Sequence, residues 1–399
     1  MQNASKQIVL ACLLVGVLYL VTQIVFLNFY SAYKLPLGRV DVDNYFIILD
    51  KPDKENVITH AGVYFLILGV SKFADPHLVF TFVIPFMSCV ILNIVFFGFM
   101  LYFTKNPNTA LLGLMFFILG TYSMQAFMIS AYWAQLFATI FIMLFIIFFE
   151  HYKYYNDKIA KILALVCFIG AAAFHMKVAG CVVLYIMIRG VFDGKYLQTA
   201  IWAGIMLLGI MVYPDVLVSN YVIEMSVWYV FARYMFPLFW IIVALHCIKR
   251  WHIFNSAEKT WAVFFVMVFL ISSQSALWRP LLSVLPLGIY FVTRSFERAF
   301  NLNSKYMSVA MVIFILCLMG VYSFMITSYS ISSMIGEMVP GVFNTTYRHM
   351  DPEPLLKMFS GSKADIGKFS NINETYRVTG FVSSLTGQVT EKDEVIYGS

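Results

Sequence analysis

Two carboxylates separated by one residue are the clearest candidates for chemistry in this chain. They are Asp41 and Asp43, with Arg39 and Tyr45 on either side as candidate substrate contacts, in the segment GRVDVDNY. In an extended segment, residues two apart point to the same face, so both carboxylates would meet one partner. Such a pair serves as a general base or holds a divalent cation, Mg²⁺ or Mn²⁺, through its oxygens. An ordinary solvated acidic loop has the same spacing.

Basic side chains at the ends of apolar segments form the second group of candidates. His175 and Lys177 make up most of the connection between two such segments, and Arg279 lies just ahead of a third. Ionisable groups at a membrane boundary are costly to keep there, and arginine binds phosphate oxygens in a bidentate manner. We therefore expect these three residues to bind a phosphate group. Snorkelling of the lysine and simple anchoring by Trp278 beside Arg279 are the alternatives.

Arg233 belongs to an aromatic stretch that runs from residue 225 to residue 236 and includes Trp228 and Tyr229. Asp215 and Glu224 precede this stretch. The pattern predicts a groove for a long lipid chain with a charged mouth, where Arg233 would contact the substrate. An aromatic belt at a membrane surface has the same composition without any ligand.

The composition indicates where these residues must be positioned. The chain has 399 residues, of which 61% are apolar and 12% charged, and its mean hydropathy is +0.81. Soluble domains are about 45–50% apolar and about 25% charged, so the chain is expected to be a polytopic membrane protein in contact with membrane lipid. A net charge of +6 is too small to indicate a nucleic-acid partner. All six cysteines lie in apolar runs, which predicts neither disulfides nor a cysteine metal site.

Eleven apolar segments predict an all-α fold, a membrane helix bundle with about eleven transmembrane helices. Several are shorter than the roughly 20 residues that span a bilayer, so the expected count is about nine to twelve. The segments are Ile8–Phe29, Leu78–Tyr102, Ala110–Tyr122, Ala134–Phe149, Ile159–Phe174, Val178–Ile188, Ala200–Val212, Pro237–Ile248, Trp261–Ile271, Leu281–Val292 and Met307–Met325.

The distribution of Lys and Arg predicts the orientation of these segments. With a cytoplasmic N-terminus, the inner loops hold thirteen Lys and Arg and the outer loops hold eight. Because cytoplasmic loops are enriched in Lys and Arg, we expect a multi-pass plasma membrane protein with an extracytoplasmic C-terminus. Residues 1–328 would form the membrane domain and residues 329–399 an outer tail or small domain. The acidic pair would lie in an outer loop, residues 30–77.

A short apolar segment from Thr59 to Phe73 lies within that outer loop and is bounded by charged residues on both sides. It predicts a helix at the outer membrane interface, with His60 at its start as a further candidate substrate contact. The alternative is a twelfth span, which would reverse the side of every later loop.

The order of an acidic motif after the first span (DVDNYF), a histidine and an aromatic-containing helix (THAGVYFLILG) resembles the first outer loop of GT-C-type glycosyltransferases. The resemblance implies a multi-span enzyme that takes a sugar from a polyprenyl-phosphate carrier at the outer face and transfers it to a glycan, lipid or protein acceptor. It also implies that Asp41 or Asp43 acts as catalytic base or helps to hold a metal. Those enzymes carry an arginine ahead of a Pro-interrupted late span, as Arg279 is here.

Two other functions stay open. The segment Tyr132–Ala138 and the span after it are similar to EpsG- and Wzy-like polysaccharide polymerases, whose Arg-Gln-x-x-Ala element has its arginine replaced by Ala134 here. A transporter or flippase of lipid-linked oligosaccharides is the other possibility. It predicts ionisable groups at midspan and repeated halves, and we identify neither in the sequence.

Overall fold

A computed structural model describes residues 2–33, 36–38, 45, 60–129, 131–212, 234–273, 279–302 and 313–323. Over these ranges the chain is almost entirely helical, and the only extended pairing is an isolated bridge between Thr121 and Met235. The predicted helical bundle is confirmed for this part of the chain. The predicted tail, residues 329–399, lies outside the described residues.

Fourteen α-helices follow one another along the described ranges. A π-helix, Phe86–Ile91, joins α3 to α4, and a short 3-10 helix, Trp251–Ile253, follows α11. The helices are α1 Gln2–Tyr33, α2 Ala61–Ser71, α3 Pro76–Pro85, α4 Leu92–Thr104, α5 Pro107–Gly120, α6 Ser123–Met128, α7 Trp133–Tyr155, α8 Lys158–Phe174, α9 Met176–Phe192, α10 Tyr196–Val212, α11 Pro237–Arg250, α12 Ser256–Ser273, α13 Arg279–Leu302 and α14 Ile313–Ser323.

Polar residues in the short connections define where several helices begin. Asp75 caps α3 by accepting a hydrogen bond from the His77 backbone at 3.0 Å. Asp157 caps α8 in the same way, with 2.8 Å to the Ile159 nitrogen. Asn106 caps α5 ahead of Pro107, which needs no backbone donor at that position. The turns between consecutive helices are therefore readable from the sequence.

Three helical segments are long and apolar enough to cross a membrane by length and composition: Ser5–Asn28, Pro76–Thr104 and Trp133–Tyr155. Other helices in the described ranges are also apolar but are shorter than these three. Each of the eleven predicted segments overlaps a helix, while the number that span a bilayer stays a prediction. Exposed apolar side chains on α1 and α8, such as Leu20 (62% exposed) and Ile159 (68%), have the character of a lipid-facing surface.

The described helices form two compact units. Unit 1 comprises the described residues within Met1–Val17, Cys89–Met124 and Ala134–Phe324, and unit 2 comprises those within Leu18–Ser88 and Gln125–Trp133. In unit 2, α2 packs against α3 through the buried side chains of Val63, Tyr64 and Ile67. The Gln23 side chain donates a hydrogen bond to the Thr81 carbonyl at 3.3 Å, which joins α1 to α3.

Unit 1 is a helix bundle with an aromatic core. The ring of Trp261 on α12 lies 4.5 Å from that of Phe103 and 4.9 Å from that of Tyr290, both in edge-on contact. Small residues allow other helices to approach closely: a Cβ on Gly120 would lie 2.6 Å from the Phe239 ring. The core of unit 1 therefore depends on large aromatic side chains facing glycines.

Helices α4, α5, α7–α9 and α11–α13 run between two ends of unit 1. One end is here called the His175 end, after the residue that directly precedes α9. It contains the end of α5 and the start of α11, where Thr121 and Met235 pair, and also the starts of α7 and α13. The other, the Arg189 end, joins the end of α7 with the end of α9, and the start of α5 with the last turns of α13. The numbers of basic residues at the two ends can therefore be compared.

Candidate functional site

The predicted site residues fall into three groups. Asp41, Asp43, Arg39 and Arg233 lie outside the described residues. Tyr45 and His60 belong to unit 2. His175, Lys177 and Arg279 belong to the His175 end of unit 1.

Tyr45 is held in a stack of aromatic rings in unit 2. Its ring is nearly parallel to that of Trp133, with 5.4 Å between centroids and 9° between planes. Trp133 stacks in turn on Phe80 at 5.1 Å, and Tyr64 lies 6.1 Å from Tyr45. Because Tyr45 is only 8% exposed, this packing favours an anchoring role over the direct substrate contact that the sequence suggested.

His60 directly precedes α2, and its backbone carbonyl accepts the first hydrogen bonds of that helix, from Val63 at 3.1 Å and Tyr64 at 3.5 Å. The predicted short helix after it is confirmed. One side of α2 is buried, whereas Phe65 on the other side is 68% exposed. Both sides of α2 are thus apolar, which suits contact with lipid, and the location of α2 relative to a membrane stays a prediction.

Asp75 is a carboxylate of unit 2 with defined contacts. The Tyr30 hydroxyl donates a hydrogen bond to Asp75 at 2.9 Å, while the other Asp75 oxygen caps α3. Partial burial and the hydrogen bond to Asp75 raise the pKa of Tyr30 above its ordinary value. Asp75 thus ties the end of α1 to the start of α3.

Two of the predicted cations occupy equivalent places at the His175 end. Lys177 is the second residue of α9, and Arg279 is the first residue of α13. Backbone N–H groups at a helix start are unpaired within the helix and carry a partial positive charge, so an anion is favoured there. The backbone thus presents two N-termini, each with a basic residue in its first turn, at one end of one bundle.

His175 fills the single-residue connection between α8 and α9. It is buried, with 3% of its surface exposed. Its carbonyl accepts hydrogen bonds from Val178 and Ala179, both at 3.0 Å, which starts α9. The sequence predicts His175 at the end of an apolar segment, and the structure places it between two helices.

A buried polar group at this end was missed by the sequence reasoning. The hydroxyls of Thr139 on α7 and Ser283 on α13 lie 2.8 Å apart, and the Gln135 side chain donates to Ser283 at 3.4 Å. The sequence could have revealed this group through the spacing of Gln135 and Thr139, which are four residues apart in an apolar helix and so share a face.

The two ends of unit 1 differ strongly in basic residues. On the described helices α4–α13 of this unit and their connections, the His175 end has two, Lys177 and Arg279. The Arg189 end has eleven, namely Lys105, Lys153, Lys158, Lys161, Arg189, Lys195, Lys249, Arg250, Lys259, Arg294 and Arg298. The predicted orientation is based on this asymmetry and stays a prediction.

Within the described ranges, no group of three or more His, Cys, Asp and Glu side chains is arranged to hold a metal ion. The Asp41/Asp43 pair proposed for that role lies outside those ranges. No family model matches the chain, and neither the curated proteins nor the solved structures contain a protein similar to it.

Proposed function

We propose that this protein is a membrane glycosyltransferase, which moves a sugar from a polyprenyl-phosphate-linked donor to a glycan, lipid or protein acceptor at the extracytoplasmic face. The observation that carries the proposal is the position of Lys177 and Arg279. Each lies in the first turn of a helix, and both helices start at the same end of unit 1.

A phosphate leaving group fits this end because helix N-termini and basic side chains favour the same charge. As the bond between the sugar and the phosphate breaks, negative charge develops on the phosphate oxygens, and fixed positive groups stabilise it. Lys177 supplies a point charge, and Arg279 supplies a planar fork suited to two phosphate oxygens. His175 and the Gln135–Thr139–Ser283 group make this end more polar than the apolar runs around it.

In the proposed reaction, Asp41 or Asp43 is the general base. The acceptor hydroxyl loses its proton to that carboxylate as its oxygen attacks the anomeric carbon, and the polyprenyl phosphate leaves with the bonding electrons. A divalent cation bound by Asp41 and Asp43 is optional in this proposal, because two carboxylates alone supply few metal ligands. Glycosyl transfer that continues in the presence of the chelator EDTA would exclude the cation from the proposal.

The proposed orientation places the Arg189 end in the cytoplasm and the His175 end outside. The eleven-to-two distribution of basic residues supports it, since cytoplasmic ends are enriched in Lys and Arg. Labelling of K195C and of a cysteine at the His175 end with a membrane-impermeant thiol reagent in intact cells tests this orientation. Labelling of K195C from the outside contradicts it.

The test of function uses the full chain in lipid nanodiscs with a panel of polyprenyl-phosphate monosaccharides and a cell-envelope extract as acceptor. The readout is release of free polyprenyl phosphate by mass spectrometry. D41N or D43N is expected to slow release about 100-fold or more, as for loss of a general base. R279Q is expected to lower kcat, because it removes a group that stabilises charge developing in the transition state, and K195Q, an exposed charge at the other end, is expected to match wild type.

Two results would overturn the proposal. One is an unchanged rate of polyprenyl phosphate release in D41N, D43N and the double variant. The other is no release for any donor while proteoliposomes move a lipid-linked saccharide across the bilayer, which identifies a transporter. A product ladder of repeating units, rather than a single addition, identifies a polymerase.

A further inference from the structure

The Arg189 end of unit 1 contains a buried cluster of four charged residues. Glu150 and Lys153 lie near the end of α7, Arg189 in the last turn of α9, and Asp193 directly after that helix. Their side chains are between 7% and 17% exposed. Two negative and two positive charges are therefore largely removed from solvent at one point of an apolar bundle.

Each charge in this cluster is directly paired. The Arg189 guanidinium binds both Glu150 oxygens, with Nε to Oε1 at 3.0 Å and Nη2 to Oε2 at 3.2 Å. Its remaining nitrogen donates to Asp193, whose other oxygen accepts from Lys153 at 2.6 Å. All four carboxylate oxygens have a basic partner, so the cluster leaves no open position for a ligand and its net charge is zero.

Neutral donors extend the cluster to a third helix. The Tyr185 hydroxyl on α9 donates to Glu150 Oε1 at 2.6 Å. Trp261 on α12 donates its indole N–H to that same hydroxyl at 2.9 Å. Both of these rings are almost fully buried. The chain Trp261–Tyr185–Glu150–Arg189 thus crosses α12, α9 and α7.

We infer that this cluster is a permanent clasp, which holds α7, α9 and α12 together at the Arg189 end while the protein works. Separating α7 from α9 there would leave Glu150 and Arg189 as unpaired charges in a low-dielectric interior, which is far costlier than any single neutral contact. Conformational change on substrate binding is then confined to other parts of the protein. An alternating-access transporter, by contrast, must open at both ends.

The inference rests on the proposed function only for the choice of lipid probe, because its test measures distance and not activity. Spin labels are attached at Y154C on α7 and V191C on α9, two positions at this end that are 81% and 46% exposed. The background replaces the accessible cysteines Cys12, Cys247 and Cys317 by alanine and keeps the buried ones. Pulsed electron resonance in nanodiscs then gives the distance distribution with and without a polyprenyl monophosphate.

If the cluster is a permanent clasp, the two spin labels on the protein with an intact cluster give one narrow distance distribution, and the polyprenyl monophosphate does not change it. E150Q and D193N, which remove one charge each and keep the side-chain volume, are expected to add a longer distance. K195Q removes an exposed charge at the same end and is expected to leave the distribution as in wild type. Asp193 is less buried than Glu150, so D193N provides the result if E150Q does not accumulate.

Two findings would overturn the clasp. The first is a second, longer distance in wild type that grows when the lipid phosphate is added, since that shows this end opening in a working cycle. The second is an unchanged narrow distance in both E150Q and D193N, which shows that the ion pairs do not hold the helices together.

Discussion

The ring of Tyr45 lies almost parallel to that of Trp133, with 5.4 Å between their centroids and 9° between their planes. Tyr45 comes two residues after Asp43 and four after Asp41. Since consecutive Cα atoms are about 3.8 Å apart, a fixed Tyr45 restricts the reach of both carboxylates. The stack thus holds Tyr45, which follows the acidic pair by two residues, in unit 2.

Removal of this ring should therefore destabilise unit 2. Y45A is expected to lower the free energy of unfolding by about 3 kcal/mol, the usual cost of truncating a buried aromatic side chain. Y45F keeps the stack and should lie within about 1 kcal/mol of wild type. Chemical denaturation in detergent, followed by Trp fluorescence, measures both. Equal stability of Y45A and wild type would show that the stack does not anchor the chain.

The contact between Thr139 and Ser283 should be worth about 1 kcal/mol, the typical net value of a hydrogen bond. T139V and S283A are each expected to destabilise unit 1, and the double variant by less than the sum of the two. A double-mutant cycle on thermal or denaturant unfolding gives the coupling energy. Strict additivity would mean that the two hydroxyls act independently.

Gly120 should not tolerate a side chain. A methyl group there would lie 2.6 Å from the Phe239 ring and 3.0 Å from Met319, so G120A is expected to cost about 1–3 kcal/mol through overpacking. A methyl group on Gly204, in α10, would have nothing within 4 Å, so G204A is the matched control and should be neutral or stabilising because alanine favours a helix. Similar melting temperatures for G120A and G204A would contradict the packing described for α5 and α11.

The cap on α8 offers a prediction outside the apolar segments. D157A removes the acceptor for the Ile159 nitrogen and should cost about 1 kcal/mol. D157N keeps an oxygen that can accept the same hydrogen bond and should retain most of that stability. Comparing the two by denaturant unfolding separates capping from charge. If both lose the same amount, the charge of Asp157 is the important property.

Local features of this fold were predictable from the sequence, and long-range ones were not. The eleven apolar segments, the capping residues Asp75, Asn106 and Asp157, and the short helix after His60 all follow from patterns within a few residues. By contrast, Glu150, Lys153, Arg189 and Asp193 lie between predicted apolar segments, and nothing in the sequence indicates that they meet. The structure continues α7 and α9 through three of them and buries all four, because each finds a partner about 40 residues away.

The candidate site shows the same division. The positions of Lys177 and Arg279 in the first turns of two helices follow from where apolar runs begin. That these two helices start at the same end of one unit depends on packing between segments a hundred residues apart. The Thr139–Ser283 contact has the same origin, because a serine within an apolar run gives no indication of which helix it will face.

The π-helix at Phe86–Ile91 has a consequence for comparing this chain with others. A π turn holds one more residue than an α turn and shifts the following side chains around the helix. Phe80 and Ile84 before it, and Leu92 and Phe96 after it, are nonetheless all buried. The segments before and after the π-helix therefore each keep a buried face. A homologue without it should align with a single gap between residues 86 and 91, and with the buried positions on both sides in register.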